Sequence, residues 1–436
     1  MGTTGMTTIR LDYGRDGLAV EVPERNLIKV LRIRPADPLA DPERSVAESL
    51  LHPIGCEPLG DLAAGKRTAC IAVCDITRPV PNRIVLPPIL RAIEKAGIAR
   101  EDILLLIATG LHRPNEGGEL LEMLGPEIVR DYRVENHVAR DAASHVSLGL
   151  TEGGTPAYVD RRFVEADLHI VTGFIEPHLM AGFSGGRKLI CPGLASVETA
   201  RVFHGPVLMA HADAREGRIE GNPVHAEALA VARMARVDFA VDVALDEARR
   251  TVGVFSGELE ASHRAGVAFV RKTVTDETPR LADIVVTTAA GHPLDATLYQ
   301  AVKGATAAAS VVREGGTIIL AAECREGLGG EEFCRLLREY GDMEAFAKRL
   351  WDSDFFFIDQ WQYQKLSQAA AKADVLLASG GLPADARSHV PIPLYETVET
   401  ALQDALKKHG PDAGVVVIPA GPNVLARCGG DNTRDE

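Results

Sequence analysis

The interpretation of this chain depends most on the stretch LHIVTGFIEPHLMAGFSGGRKLICPGLASVETARVFH (168–204). It is an apolar run followed by a loop rich in glycine and basic residues. The run 168–172 is apolar and β-branched, which predicts a buried strand. An anion is expected against the N–H groups of the following loop, because glycines let a ligand approach the backbone closely. Arg187 would add positive charge there. Two histidines, a lysine and two glycines stand around this loop: His178, Lys188, His204, Gly185 and Gly186.

The same alternation of short apolar runs and helical patterns continues on both sides of this stretch and predicts an α/β fold. Strands are predicted at 68–74, 103–108, 284–288, 317–322, 375–378 and 415–419. Helices are predicted at 83–96, 115–124, 298–312, 331–340, 360–371 and 397–409. The candidate loops of the first half each follow the carboxyl end of a strand, which is where open α/β sheets bind ligands.

The chain has 436 residues, which is more than one core normally supports, so two domains are expected. The polar stretch 273–280 has little apolar pattern and is the predicted junction. The predicted architecture is two α/β domains with mostly parallel sheets and an active site in the cleft between them. They are an N-terminal cofactor-binding domain, 1–272, and a C-terminal α/β domain, 281–436. The tail after about residue 410 is expected to pack back on the N-terminal domain, and its part after Gly421 either to fold back or to be mobile.

Composition and charge narrow the function classes. The formal net charge of −14 argues against nucleic acid and against an anionic membrane as the main partner. Seven cysteines occur without a CxxC pair, so neither a zinc ribbon nor a disulfide framework is indicated. The N-terminal segment does not resemble a secretory signal, and no run approaches the roughly 20 apolar residues of a membrane-spanning helix. A cytoplasmic location is therefore expected.

The motif DITRPVP (75–81) directly follows a predicted strand. Arg78 offers a planar fork that suits a carboxylate or a phosphate. Asp75 and Thr77 have two equally good roles, either ligand binding or capping of the helix that follows. The spacing alone does not decide between these two roles.

A second motif, TGLHRP (109–114), places His112 in a glycine-containing loop after a strand. An imidazole in such a loop suits general acid or base chemistry, and a structural histidine is the alternative. In GFSGGRK (182–188) the spacing does not match GxxxxGK[ST], which excludes a nucleoside-triphosphatase. The chain also lacks an HExxH pair and a GxGxxG after a strand, so a zinc hydrolase and a nicotinamide-dependent dehydrogenase gain no support.

A third motif, GHPLDATLYQAVK (291–303), opens a predicted helix. Tyr299 and Lys303 are four residues apart and share one face of that helix, with Gln300 at the same end. A helix with one wet face is the alternative interpretation. Trp361, in the later segment QWQ (360–362), suits either a core position or stacking on a planar ring.

Together these segments resemble the nickel-pincer lactate racemase family. The matching elements are DITRPVP, TGLHRP, the spacing of the basic residues at 178, 188 and 204, and GHPLDATLYQAVK followed by QWQ. They occur in the family's order from about residue 75 to 361, which is most of the chain. Each element is weak alone, and the four in series are specific.

The resemblance implies a nickel-pincer nucleotide cofactor, a pyridinium-3-thioamide-5-thiocarboxylic acid mononucleotide that holds nickel. It implies His204 as the nickel ligand and Lys188 as a cofactor contact, and it leaves open whether a covalent adduct forms at Lys188. Sulfur, carbon and imidazole donors suit square-planar nickel. Further cofactor contacts are expected from the two loops that contain Asp75, Thr77, Gly185 and Gly186.

The resemblance also implies a racemase of a small aliphatic 2-hydroxy acid, lactate or a longer relative, that works by hydride transfer to and from the cofactor. His112 and His178 match the family's acid/base pair. The substrate-binding groups that it implies are Arg78, Tyr299, Gln300, Lys303 and Trp361. The enzymes that build the cofactor are then the expected maturation partners. Two alternatives stay open: a 2-epimerase of a sugar acid with the same chemistry, and a non-catalytic protein that binds the nickel cofactor.

Overall fold

The computed structural model describes residues 5–352 and 354–429. The chain forms two compact units. The lysine unit, named for Lys188, contains residues 35–176 and 181–273, and the terminal unit contains the residues up to 34, 177–180 and the residues from 274 onward. Both units combine helices with a mainly parallel sheet, which confirms the predicted α/β class.

Elements are numbered in chain order. The strands of the lysine unit are β4 Ala69–Cys74, β5 Ile103–Ala108, β6 Arg133–Asn136, β7 His145–Leu150, β8 Pro156–Asp160, β9 Leu168–Phe174, β11 Gly182–Phe183, β12 Phe239–Leu245 and β13 Thr251–Gly257. Its helices are α1 Pro42–Leu51, α2 Leu59–Ala63, α3 Asn82–Lys95, α4 Gly118–Leu124, α5 Pro126–Asp131, α6 Arg161–Val164, α7 Val197–Phe203, α8 Pro206–Ala210, α9 Pro223–Met234 and α10 Leu259–Val274, the last of which ends at the first residue of the terminal unit.

The main sheet of the lysine unit has the strand order β13-β12-β9-β4-β5-β6. Only β13 runs antiparallel to its neighbour. Every residue of β4 and β9 is buried, as expected for central strands that helices cover on both faces. Because β4, β5 and β9 are parallel, the loops that follow them leave the sheet at one edge.

The strands of the terminal unit are β1 Met6–Leu11, β2 Leu18–Pro23, β3 Leu27–Val30, β10 Pro177–His178, β14 Thr275–Thr278, β15 Ala282–Thr288, β16 Val312–Ala321, β17 Asp374–Ala378, β18 Leu394–Tyr395, β19 Val415–Ile418 and β20 Leu425–Cys428. Its helices are α11 Leu298–Ala309, α12 Glu331–Glu339, α13 Met343–Arg349, α14 Gln360–Lys372 and α15 Val398–His409. Its main sheet, β18-β17-β16-β15-β19-β3, is parallel throughout.

The first 34 residues lie in the terminal unit, whereas the sequence-based division placed them in a domain ending at 272. The physical reason is strand pairing: β3 adds to β19 at the sheet edge, with Leu27 opposite Val415. The described part of the tail after residue 410 also lies in this unit. It supplies β19 to the main sheet and pairs β20 with β14.

One helix end was predicted wrongly. The helix predicted over 298–312 ends at Ala309, and Val312 already begins β16. Val312 pairs with Ala282 of β15, so sheet pairing captures a β-branched residue that the helical pattern had included. The predicted strand 103–108, by contrast, coincides with β5.

Candidate active site

The loops after β4 and β5 bring Asp75 and His112 together. His112 Nδ1 lies 2.6 Å from Asp75 Oδ2. Thr77 Oγ1 donates to the other oxygen, Oδ1, at 2.6 Å. The carboxylate is buried while the imidazole is about half exposed, at 6% and 48% side-chain accessibility. The carboxylate thus orients the imidazole ring through Nδ1, and Nε2 is the ring nitrogen that is not bonded to it.

Asp75 stays ionised in this setting. Burial alone would raise the pKa of the Asp75 carboxyl. The hydrogen bond and charge of His112, together with the Thr77 hydroxyl and Arg78, outweigh burial and hold that pKa below its ordinary value. Because Asp75 is an acceptor, the hydrogen of the pair resides on His112 Nδ1, so the lone pair of a neutral His112 is on Nε2.

Arg78 forms an ion pair with Glu176, the residue that follows β9 and Ile175. Both side chains are partly buried. Asn115 supports the same loop, since its side-chain oxygen accepts from the N–H of Ile76 at 3.2 Å. Neither Glu176 nor Asn115 was predicted. Their common signal is a position just after, or packed against, the carboxyl end of a central strand.

Lys188 is half-buried on a short 3₁₀ turn, Gly186–Leu189. Its N–H donates to Gly185 O at 3.1 Å, and Gly193 N donates back to Lys188 O at 3.1 Å. Gly110, in the His112 loop, donates in turn to Gly193 O at 2.9 Å. The lysine loop and the His112 loop are therefore joined through their backbones.

The negative charge next to this glycine loop belongs to a side chain of the protein, whereas the sequence predicted a bound anion. Gly186 N donates to the buried carboxylate of Asp242 at 3.0 Å. Arg187, which the sequence suggested would face a ligand anion, is instead 1% exposed and donates to backbone carbonyls of its own loop. Gly185 thus makes room for a protein carboxylate and Gly186 donates to it, which the sequence did not predict.

His204 stands at the C-terminal end of α7, a helix whose N-cap is Ser196. It is 8% exposed and its ring makes an edge contact with Phe203 at 4.9 Å between centroids. Burial, together with the charges of Lys188 and His112, lowers the pKa of His204 to about 3. The imidazole is therefore neutral at physiological pH, which is the form that binds a metal.

The segment that leads into α7 is fixed by a buried pair. His137 Nδ1 lies 2.9 Å from Asp160 Oδ2, and its Nε2 lies 3.0 Å from Ala195 O. Arg162 donates to the same Asp160 oxygen at 2.7 Å. Burial alone would raise the pKa of Asp160, but the His137 and Arg162 bonds lower it from 3.8 to about 2.

Replacing Asp160 by asparagine is expected to reduce the free energy of unfolding by about 2 kcal/mol at pH 6, since each pKa unit is worth about 1.4 kcal/mol. A carboxyl whose pKa is lowered in the folded state stabilises the fold at pH values above the pKa that it has in the unfolded state. The difference between parent and Asp160→Asn should therefore shrink as the pH falls from about 4 towards 2. Urea unfolding at a series of pH values measures this difference in the free energy of unfolding. Asp102→Asn, at an exposed position, is the control. A pH-independent difference would contradict this assignment.

The other predicted site residues lie in the terminal unit. His178 Nδ1 accepts from Met180 N at 3.2 Å, which puts the hydrogen of the neutral ring on Nε2. Tyr299 O accepts from Gln362 of the QWQ segment at 2.7 Å. Gln300 Oε1 is buried with no hydrogen-bond partner in the described part of the chain. The remaining two predicted residues are half-buried Lys303 and Trp361, which is 5% exposed.

The described residues contain no group of three or more histidine, cysteine or acidic side chains that could hold a metal ion. A bare ion held by the protein alone is therefore not indicated in residues 5–352 and 354–429. A metal that arrives with its own organic donors needs only one protein ligand, and neutral His204 suits that role. No helix in the same described part combines the length and apolarity needed to span a membrane.

Comparison with known proteins identifies the family. The family model for the lactate racemase N-terminal domain matches residues 13–217, and the model for the C-terminal domain matches residues 277–426. The lactate racemase of Lactiplantibacillus plantarum is 35% identical over 429 residues, which cover 97% of this chain and 100% of that protein. The chain belongs to the lactate racemase family. It is therefore an isomerase, which sets aside the non-catalytic alternative.

One solved structure agrees with this family assignment, and a second shares the fold. The lactate racemase apoprotein from Thermoanaerobacterium thermosaccharolyticum has a TM-score of 0.91 and 35% identity, and the match covers 97% of this chain and 100% of that one. A protein from Thermotoga maritima, 20% identical with a TM-score of 0.68, covers 89% of this chain and 99% of its own and shares the fold. The lactate racemase fold thus extends over nearly the whole chain.

Proposed function

We propose that this chain is a nickel-dependent racemase of a small aliphatic 2-hydroxy acid, with lactate as the first candidate. The observation that supports it most is the Asp75–His112 pair, in which a buried carboxylate orients a half-exposed imidazole. The relatives from two organisms, both named lactate racemase, make lactate the first substrate to test.

The residues fit the nickel-pincer nucleotide as the resident cofactor. His204 would hold the nickel, because burial keeps its imidazole neutral, and Lys188 would contact the nucleotide. When bound, the cofactor supplies a hydride acceptor and donor for C2 of the substrate. Asp75 and Thr77 act by orienting His112, so their proposed contribution is to the acid/base group rather than to the nucleotide.

His112 is the proposed base for the substrate hydroxyl. With Nδ1 directed to Asp75, the lone pair on Nε2 accepts the hydroxyl proton, and the Asp75 carboxylate stabilises the imidazolium that results. Asp75 also prevents the ring from presenting the wrong nitrogen. A positioned base of this kind contributes about 10²–10⁴-fold to the rate.

His178 is the proposed second acid/base group. Its Nδ1 accepts from Met180 N, so a neutral ring presents an N–H at Nε2 and acts as a hydrogen-bond donor. His112 presents a lone pair at the same ring position. In each inversion one histidine, in its neutral form, takes the hydroxyl proton. The other, as its imidazolium, returns a proton to the carbonyl oxygen, and the two roles are exchanged in the reverse direction.

Arg78 and Lys303 are each proposed to bind the substrate carboxylate. Arg78 is held by Glu176, which fixes the guanidinium plane and leaves its charge partly offset. Gln300 has a buried side-chain oxygen with no hydrogen-bond partner in the described residues. The NH₂ group of the same amide can donate to the substrate carboxylate, which is the role that the resemblance implies for Gln300.

The proposed function is tested with protein co-produced with the enzymes that build the cofactor and assayed for nickel. Single enantiomers of lactate and of longer 2-hydroxy acids are incubated in heavy water, and both chirality and C2 deuterium are measured. Inversion with C2–H retained is expected, since the hydride returns to the same carbon. Protein produced without the cofactor is the control and should give no inversion.

Two results would contradict the proposal. Inversion with deuterium at C2 would indicate proton abstraction from carbon and would remove the hydride mechanism. Absence of inversion for every acid, in protein that contains stoichiometric nickel, would exclude the proposed substrate class.

A further inference from the structure

Asp242 lies under the turn that presents Lys188. It is near the middle of β12, is 1% exposed, and stands opposite Gly173 of β9 in the parallel register. Its Oδ1 accepts from Gly186 N at 3.0 Å. Because Gly186 is the first residue of the turn Gly186–Leu189, the carboxylate fixes the backbone two residues before Lys188.

Two glycines make room for this carboxylate, and a third, Gly186, donates its hydrogen bond. A Cβ added at Gly173 would lie 2.7 Å from Asp242 Oδ1, and one at Gly185 would lie 2.8 Å from the same atom. A Cβ at Gly186 would lie 3.4 Å from Oδ2. Gly185 and Gly186 also have positive φ values of 87° and 47°, which other residues adopt at a cost. The chain therefore has glycine at each point where the carboxylate approaches the backbone.

The same loop is held from its carbonyl side by Arg187. This guanidinium is 1% exposed and lies 2.6 Å from His263 Nε2. His263 Nε2 also lies 2.9 Å from Ser184 O, so this imidazole contacts both Arg187 and the loop. Burial and the Arg187 charge lower the pKa of His263. Arg187 donates to the carbonyl oxygens of Ala181, Phe183, Ser184 and Gly185.

Burial of Asp242 is costly for the fold. Burial raises the pKa of the Asp242 carboxyl to about 6, although Gly186 N–H and the Arg187 charge act in the opposite direction. Its Oδ2 has no hydrogen-bond partner among the described residues. A buried charge with one hydrogen bond stabilises a sheet less than an apolar residue of similar size does. The benefit of Asp242 must therefore lie in the conformation that it imposes.

We propose that Asp242 is a positioning residue that fixes the Gly186–Leu189 turn and thereby the direction in which Lys188 leaves the backbone. The functional meaning of this proposal rests on the proposed contact between Lys188 and the cofactor. The geometric part does not, because it concerns the turn in the protein alone.

Amide hydrogen exchange on the full chain, produced without cofactor, tests the geometric part. Asp242→Ala is expected to speed exchange of the Gly186 amide at least tenfold. Asp242→Asn should stay within threefold of the parent, because its side-chain oxygen accepts the same bond. Asp238→Ala is the matched control: Asp238 precedes β12 and accepts from His169 N at 2.8 Å, so its loss should leave the Gly186 amide unchanged.

Lys188 itself supplies a second readout. Acetylation by a water-soluble N-hydroxysuccinimide ester is followed by peptide mass spectrometry, with exposed Lys348 as the internal standard. Asp242→Ala should raise the Lys188 rate at least threefold, while Asp242→Asn and Asp238→Ala should leave it near the parent rate. Nickel content after co-production with the cofactor-building enzymes should fall in Asp242→Ala and recover in Asp242→Asn.

Gly173→Ala keeps the test decisive if Asp242→Ala does not fold. The new Cβ would lie 2.7 Å from Asp242 Oδ1 and displace the carboxylate, so faster exchange at Gly186 is expected again. Its next neighbour, Leu189 Cδ2 at 3.1 Å, is the far end of a flexible side chain. Unchanged exchange in Gly173→Ala, or equal exchange in Asp242→Ala and Asp238→Ala, would overturn the positioning role. A parent protein that acquires no nickel would instead argue against the proposed function and leave the exchange result valid.

Discussion

Replacing His204 with alanine is expected to abolish nickel retention and racemisation together. His204 is buried, and burial with the nearby positive charges lowers its pKa to about 3, so its imidazole is an unprotonated donor across the physiological range. Changes outside the ligand set of a metal cost about 10–100-fold in affinity, and loss of the proposed protein ligand should cost more. Nickel per chain, measured by elemental analysis after desalting, is the primary readout.

His211→Ala is the control for that variant. His211 is exposed at the end of α8, seven residues further along the chain, and its removal should leave nickel content and turnover unchanged. A parent-like nickel content in His204→Ala would refute the ligand assignment. Loss of nickel in both variants would point to a general effect on the folded state, which thermal unfolding of the two apoproteins would reveal.

Replacing His112 with alanine is expected to lower kcat by about 10²–10⁴-fold while nickel content stays at the parent level. The variant removes the proposed base and leaves His204 and Lys188 in place. The reacting enantiomers should be compared separately, because a base that serves one direction produces unequal losses in the two. Near-normal turnover in both directions would remove His112 from its proposed role.

Asp75→Asn separates positioning from proton transfer. Asparagine keeps the size of the side chain but lets the ring of His112 adopt either tautomer, and it no longer stabilises an imidazolium. A decrease in kcat smaller than that of His112→Ala, with little change in KM, is expected. His52→Ala, at an exposed histidine of the same unit, should match the parent protein.

Much of the fold followed from local pattern. The strand predicted at 103–108 coincides with β5, and the helix predicted over 83–96 is α3, shifted by one residue. These elements are apolar, central and bounded by turns, so their local signal agrees with their environment. Strands β12 and β13 were not predicted, although they form one edge of the main sheet of the lysine unit. Their sequences contain polar and small residues, and they become regular strands by pairing, β12 with β9 and β13 with β12.

In the candidate site, too, local pattern predicted some features and tertiary contacts decided the others. The motifs identified His112, Lys188 and His204 because each is a reactive side chain in a glycine-containing or strand-following loop. The pairing of these residues had no such signal, since the motif indicated Asp75 only for ligand binding or helix capping. Asp75 and His112 are 37 residues apart, and their 2.6 Å contact exists because β4 and β5 are parallel neighbours whose ends meet at one sheet edge.

The sequence by itself determined the α/β class, the central strands and the reactive groups of the loops, because these depend on local apolar runs and on residue type. Tertiary structure alone decided which charges meet. It placed Asp75 behind His112, Glu176 on Arg78, and Asp242 under the glycines before Lys188. It also brought the first strands of the chain into the terminal unit, since β3 pairs with β19 almost 400 residues later. Contacts of this kind depend on strand order and register, which local pattern does not encode.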